Sequence, residues 1–209
     1  MTQTGRFLSL EGGEGAGKST QARALAAALS ARGIAAVVTR EPGGSEGAEA
    51  IRTLLMQGAA SRWSAHSEAL LFAAARADHV EKVIRPAIDA GQWVICDRFV
   101  DSTRAYQGAA GGVDDAAIMA LHGFGSNGLL PDRTYLLALP PEEGAARAAA
   151  RDGGTDRFAA RGEDFHHDVA AAFDRFAAAE PDRYRRIDAT QPPEAVTQAI
   201  LGDLASWLP

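Results

Sequence analysis

Short apolar runs rich in valine, isoleucine, leucine and aromatic residues alternate along this chain with longer segments whose apolar positions recur every three to four residues. That alternation is the signature of βαβ units and a parallel sheet covered on both faces. Five strands are predicted: "RFLSL" (6–10), "IAAVVT" (34–39), "WVICD" (93–97), "TYLLAL" (134–139) and "YRRID" (184–188). Helical patterns fill the gaps. After Gly17, "KSTQARALAAALSARG" sets Leu25 and Leu29 four apart and stops at Gly33, a residue that closes helices without a Cβ penalty. From about Ser64 to Ala90 an apolar face is expected through Leu70, Leu71, Ala74, Val80 and Ile84. Pro86 should bend or interrupt that helix, because its ring removes a backbone donor. The closing "PPEAVTQAILGDLASWLP" reads as a last amphipathic helix over the sheet.

Two glycine-rich polar stretches interrupt the alternation: "EPGGSEG" (41–47) after the second strand and "RDGGTDRFAARGED" (151–164) between two helices. Both are too polar for a core and fall where α/β proteins carry ligand loops, at or over the carboxyl ends of strands. With 209 residues and 46% hydrophobic content the chain can bury a full core, and a single domain over 1–209 is expected. A net charge of −6 argues against a nucleic-acid polymer or an anionic membrane as partner, since both demand a basic field. The one cysteine, Cys96, cannot form an internal disulfide, no segment resembles a signal peptide, and the uncharged stretches are too interrupted to span a bilayer. These features predict a reduced, cytoplasmic protein.

Of 21 lysines and arginines, only Lys18 and Lys82 are lysine. Lys18 stands in "GGEGAGKST" (12–20), where Gly12, Gly17, Lys18 and Ser19 fit G-x-x-x-x-G-K-[ST] between a predicted strand and a predicted helix. The chemistry requires those residue types. Glycines let successive amides, here Gly12, Gly13, Glu14, Gly15, Ala16 and Gly17 through Thr20, turn toward a phosphate at a helix N-terminus. A compact ammonium on a flexible stem reaches the β- and γ-phosphates, and the Ser19 hydroxyl suits Mg²⁺. The fold class is therefore a three-layer P-loop NTPase fold, with a five-stranded parallel sheet flanked by helices. A GTPase would need an N-K-x-D base reader, but the only asparagine, Asn127, is followed by glycine. The missing downstream asparagine likewise excludes a protein-kinase catalytic loop.

Asp97 ends the third predicted strand, where a carboxylate can hold a magnesium-bound water, and Arg98 follows it in "VICDRFVDSTRAYQG" (94–108). Taken with "TREPGG" (39–44) and "ALLFAAARADH" (69–79), this D-R-[aromatic]-x-x-S-x-x-A-Y-Q-G pattern resembles the thymidylate kinase family over nearly the whole chain. The resemblance implies an ATP- and Mg²⁺-dependent enzyme that phosphorylates dTMP to dTDP for dTTP synthesis, working as a homodimer built through helices. The apolar helix around 66–84 is a plausible dimer face. It implies that Arg98 sits between the donor and acceptor phosphates and that Asp97 positions the metal or its water. Phe72 would stack on thymine and Arg76 would bond a base carbonyl. Glu14 would meet the 3′-hydroxyl, and Tyr106 would crowd a 2′-hydroxyl beside Ser102, Thr103 and Gln107. Arg40, Pro42 and the loop around them would close over dTMP, with Arg52 near its phosphate. Residues 151–164 resemble a lid over ATP. Among Arg147, Arg151, Arg157 and Arg161, the pair Arg151 and Arg157 is expected to supply the catalytic cation, because Gly15 stands where some family members carry a P-loop arginine.

Ala138, Ala159, Ala170 and Phe173 depart from the family pattern of aspartate, glutamate, arginine and tyrosine. His166 and His167 are adjacent and lack partners at metal-ligand spacing, so surface roles are expected. Two alternatives stay open: a related kinase for another nucleotide or a deoxynucleoside, and a nucleotide-driven switch that hydrolyses ATP slowly.

Overall fold

The computed structural model describes residues 4–150, 157, 158 and 160–208. Its five strands are β1 (Phe7–Glu11), β2 (Ala36–Arg40), β3 (Trp93–Asp97), β4 (Arg133–Ala138) and β5 (Tyr184–Asp188). They form one parallel sheet in the order β2-β3-β1-β4-β5. All five predicted strands are present, β3 and β5 with the expected ends and the others shifted by one or two residues. Because both faces are covered, even the polar Ser9 and Glu11 of β1 are fully buried.

Alternate residues serve opposite faces. Leu8, Leu10, Ile95, Tyr135 and Leu137 pack with Leu25 and Leu29 of α1 (Lys18–Ser30) and with Val196 and Ile200 of α9 (Pro193–Asp203). On the other face Phe7, Val94 and Cys96 meet Val80, Ile84 and Phe99. Nearby, Leu136 meets Val169 and Phe173 of α8 (Glu163–Ala179). The remaining helices are α2 (Glu46–Met56), α3 (Ala65–His79), α4 (Arg85–Asp89), α5 (Val100–Thr103), α6 (Asp115–Ser126) and α7 (Pro141–Ala149). Cys96 is buried and unpaired, in keeping with a small core side chain.

Pro86 acts where expected: α3 runs into a π-helical turn, Val80–Ile84, directly before α4, a widening that accommodates the missing proline donor. The expected apolar face holds at Val80 and Ile84, which are buried, and differs along α3 itself. Its buried stripe is Glu68, Ala69, Ala75, Arg76 and His79, while Leu70 is 57% exposed and Ala74 is exposed as well. The stripe faces a polar site rather than an oily core, so the apolar residues are left outside. Helix α2 is absent from the sequence-based reading, because it opens inside the glycine-rich run that signals a loop.

Candidate active site

Sheet order places β1 between β3 and β4, and ligands of parallel sheets bind at the carboxyl ends where connections diverge from such a central strand. Here β1 delivers the glycine-rich loop and β3 delivers Asp97 and Arg98. Lys18 opens α1 and turns its ammonium back over the loop, donating to the carbonyls of Gly12 (3.1 Å) and Gly13 (2.6 Å). Burial, reinforced by the Arg98 charge, lowers this ammonium to about 8. Gly15 has a positive φ of 69°, and a Cβ there would run into the Gly144 carbonyl of α7. Only glycine lets this helix rest on the loop.

Arg98 holds a left-handed backbone, φ 71°, which costs a non-glycine residue about 1 kcal/mol and turns the guanidinium toward the loop. One nitrogen donates to the Gly12 carbonyl (3.0 Å) and Ser102 Oγ (3.1 Å). The other donates to Glu14 (2.8 Å) and the Tyr106 hydroxyl (3.2 Å). Beneath it lies Glu11, a fully buried carboxyl group that accepts from the Phe99 amide (2.7 Å) and Ser102 Oγ (2.6 Å). Burial, with the Asp101 charge second, raises Glu11 to about 8. Sequence reasoning passed over Glu11, although a charged residue ending an apolar strand beside the loop was a usable signal.

Ser19 Oγ donates to Asp97 Oδ2. Hydroxyl and carboxylate oxygens side by side suit a hard cation such as Mg²⁺, whose further ligands in phosphate sites are waters and phosphate oxygens. No group of three or more His, Cys, Asp or Glu side chains that could hold a metal exists among the described residues. His167 lies 3.3 Å from Glu142.

From the loop a cleft of about 460 Å³ extends toward α3. Its lining includes Glu14, Gly15, Gly17, Lys18, Ser19, Thr20, Asp97 and Arg98 at one end. Arg40, Pro42, Arg52, Phe72, Arg76, Ser102, Thr103, Tyr106 and Gln107 line the rest. Residues scattered over the sequence thus converge on one cavity. Arg76 is buried and fixed by Glu41 (2.7 Å) and Thr103 (2.8 Å). Glu41 in turn lies 3.2 Å from His79, whose other nitrogen is 2.7 Å from Thr39 Oγ1. The Pro42 carbonyl accepts from Arg52 (2.7 Å), and Arg40 pairs with Glu49 at 3.3 Å. Burial pushes the Tyr106 phenol up to about 12, so it stays protonated at neutral pH.

Gly12 and Gly13 also border a second cavity of about 490 Å³, between the end of β4 and α8. Ala138, Ala170 and Phe173, three of the four family departures, line it together; Ala159 lies outside the described residues. These three departures therefore fall beside the loop and outside the lining of the first cleft.

The expected role of Arg157 over the donor is not met in this structure. Its guanidinium is 3% exposed and donates to the carbonyls of Leu55, Ala59 and Ala60, with a 2.7 Å ion pair to Glu68. Those carbonyls and that carboxylate form a ready-made guanidinium socket at the far end of the cleft. Arg151 lies outside the described residues. Phe158, unforeseen in the sequence, joins the cleft wall with its ring 5.8 Å from Phe72 and 6.4 Å from Tyr106. Met56 and Arg23 also line the cleft without having been anticipated.

A phosphate-binding loop on a parallel α/β sheet, facing across a single arginine into a base-sized pocket with aromatic and guanidinium walls, defines a P-loop nucleotide phosphotransferase. Comparison with known proteins narrows the class. A family model described as thymidylate kinase matches residues 10–200. Thymidylate kinase of Rhizorhabdus wittichii is 61% identical over 206 residues, 98% of this chain and 99% of that protein. The Caulobacter vibrioides thymidylate kinase is 55% identical, covering 96% and 95%. A crystal structure of thymidylate kinase from Ehrlichia chaffeensis superposes with a TM-score of 0.77 at 30% identity, covering 96% of this chain and 98% of that one. The chain belongs to the thymidylate kinase family.

Proposed function

We propose that this protein transfers the γ-phosphoryl group of ATP to dTMP, giving dTDP for dTTP synthesis. The observation that carries the reading is the cleft itself, with Lys18 and the glycine loop at one end, Phe72, Arg76 and Gln107 at the other, and Arg98 between. In this reading the loop amides and Lys18 hold the donor phosphates. Phe72 stacks on thymine, Arg76 donates to a ring carbonyl, Glu14 accepts from the 3′-hydroxyl and Tyr106 fills the space a 2′-hydroxyl would take. Arg40 and Arg52 serve the acceptor phosphate. That phosphate is already an anionic nucleophile, so no side chain has to remove a proton. The chain's contribution is alignment and charge neutralisation, which in phosphoryl transfer are the main sources of rate. Ser19 and Asp97 would hold Mg²⁺, which when bound adds positive charge at the phosphates. Among the lid arginines, a donor-side role is proposed for Arg151.

Supplying the purified protein with Mg²⁺, ATP and in turn dTMP, dUMP, dCMP or thymidine separates the alternatives. ADP should form in step with dTDP and be largest with dTMP. ADP formed with free phosphate and no phosphorylated acceptor would favour the switch reading.

The same reading includes a cytoplasmic homodimer. No helix of the described residues is long and apolar enough to cross a membrane. Support for self-association comes from apolar side chains turned outward on the packed pair α3 and α6: Leu70, and Phe124, which is 93% exposed. Phe124→Asp should convert a dimer to a monomer in light scattering; a monomeric wild type would contradict the proposal.

A further inference from the structure

Two described parts of the connection between β4 and α8 pack on the cleft. Its first helix, α7, rests on the phosphate loop: a Cβ at Gly15 would strike Gly144, and one at Gly144 would strike the Glu14 carbonyl. The second part lies at the opposite end of the cleft, on Glu68. This carboxylate, in the first turn of α3, is 0% exposed. Gln107 donates to one of its oxygens at 2.9 Å. Arg157 and Arg161 each approach the other oxygen at 2.7 Å. Three segments thus meet on a single buried anion: the wall of the base pocket, the helix carrying Phe72 and Arg76, and the stem of the lid.

A buried ion pair contributes little net stability, because desolvation offsets its attraction; its clearest use is to fix one arrangement among several. The neighbours of this one are functional. Phe158 follows Arg157 and presses its ring on Phe72 and Tyr106, while the Arg161 guanidinium lies 5.1 Å over the Phe158 ring. Any ligand that orders Phe72, Tyr106 and Gln107 therefore orders the lid stem through the same carboxylate. The same pocket wall reaches the loop that takes the donor phosphates, because Tyr106, next to Gln107, accepts from Arg98, which also donates to Gly12.

We propose that Glu68 is a positioning residue that couples the two nucleotide sites, so that a bound nucleoside monophosphate in the cleft tightens binding of the nucleoside triphosphate on the loop. The inference rests on the functional reading above. Glu68 need not touch either nucleotide. Coupling is reciprocal and, for typical systems, runs from about 5- to 150-fold in affinity.

The test is calorimetric titration of the full chain, with Mg²⁺, using a non-hydrolysable ATP analogue with and without saturating dTMP, and the converse. In the wild type dTMP should tighten the analogue at least about fivefold. In Glu68→Gln each nucleotide alone should bind within about threefold of wild type, whereas the mutual enhancement should fall below about twofold. Should this variant fail to fold by circular dichroism, the double variant Glu68→Met with Arg157→Met removes both buried charges at similar volume. It should fold and likewise lose the enhancement. Wild-type enhancement in either folded variant, or independent binding in the wild type, overturns the proposal. Absence of dTMP binding to the wild type would instead defeat the functional reading, and the coupling with it.

Discussion

Arg98→Ala isolates the charge at the centre of the cleft. The guanidinium is held by four hydrogen bonds, to Gly12, Ser102, Glu14 and Tyr106, and its side chain is only 17% exposed. It is therefore oriented before any nucleotide arrives, the condition under which a cation acts on a developing charge without reorganisation. In other phosphoryl-transfer enzymes an arginine so placed is worth about 10³ to 10⁵ in rate, or about 4 to 7 kcal/mol of barrier. Stability should change much less. Loss of charge-assisted bonds worth about 1.5 to 3 kcal/mol each is offset by no longer burying a cation, and alanine keeps the same left-handed backbone. The assay is ADP release coupled to NADH oxidation at saturating ATP and dTMP, with donor affinity from titration and folding from thermal melts. Turnover should fall at least about 10³-fold while donor affinity stays within about threefold. A folded variant with turnover within tenfold of wild type would refute the role of Arg98.

The remaining predictions follow from single contacts. With Lys18 lowered to about 8 in the free protein, bound phosphate should raise it again. ADP affinity should be level below that pH, fall by up to about tenfold per unit above it, and show proton uptake by calorimetry; equal affinity at pH 7 and 9.5 would contradict this. Glu11 is raised to about 8 from its ordinary 4.5, so between those values the unfolded chain has lost the proton that the folded one keeps, and stability should decline as pH rises across that window. In urea melts at pH 5 and pH 8, Glu11→Gln should flatten the decline; an unchanged slope would remove Glu11 as its source. Gly144→Ala should cost about 1 to 3 kcal/mol of overpacking and raise the KM for ATP, because its methyl meets the Glu14 carbonyl; a wild-type melt and KM would show that α7 does not rest on the loop. Phe72→Ala should raise the KM for dTMP and leave that for ATP unchanged, and an unchanged KM for dTMP would take Phe72 out of the base pocket.

The parts of the site that follow the backbone were legible in the sequence. The loop from Gly12 to Thr20 announces itself because phosphate binding restricts both residue type and spacing, and Asp97 with Arg98 stands at a strand tip that the apolar run of β3 makes plain. Strand order was not stated by any local pattern, since it depends on which crossovers pack together. The polar interior was the hardest to see. Glu11, Glu41 and Glu68 are buried because each meets an arginine or a donor group far away in sequence, and hydrophobic periodicity carries no record of such partners. For the same reason the buried Glu68, Arg76 and His79 of α3 leave no trace in its apolar periodicity. A basic, glycine-rich stretch signals a phosphate lid, whereas the Leu55, Ala59 and Ala60 carbonyls that receive Arg157 belong to the end of α2 and the loop after it, about a hundred residues earlier.

The central claim is that the acceptor's own phosphate attacks the donor directly, with no covalent stop on the protein. Following ATP made chiral at its γ-phosphorus with oxygen isotopes tests it in one measurement. The account predicts that the label arrives in dTDP with inverted configuration. Retained configuration, or label recovered only as free phosphate, would contradict it.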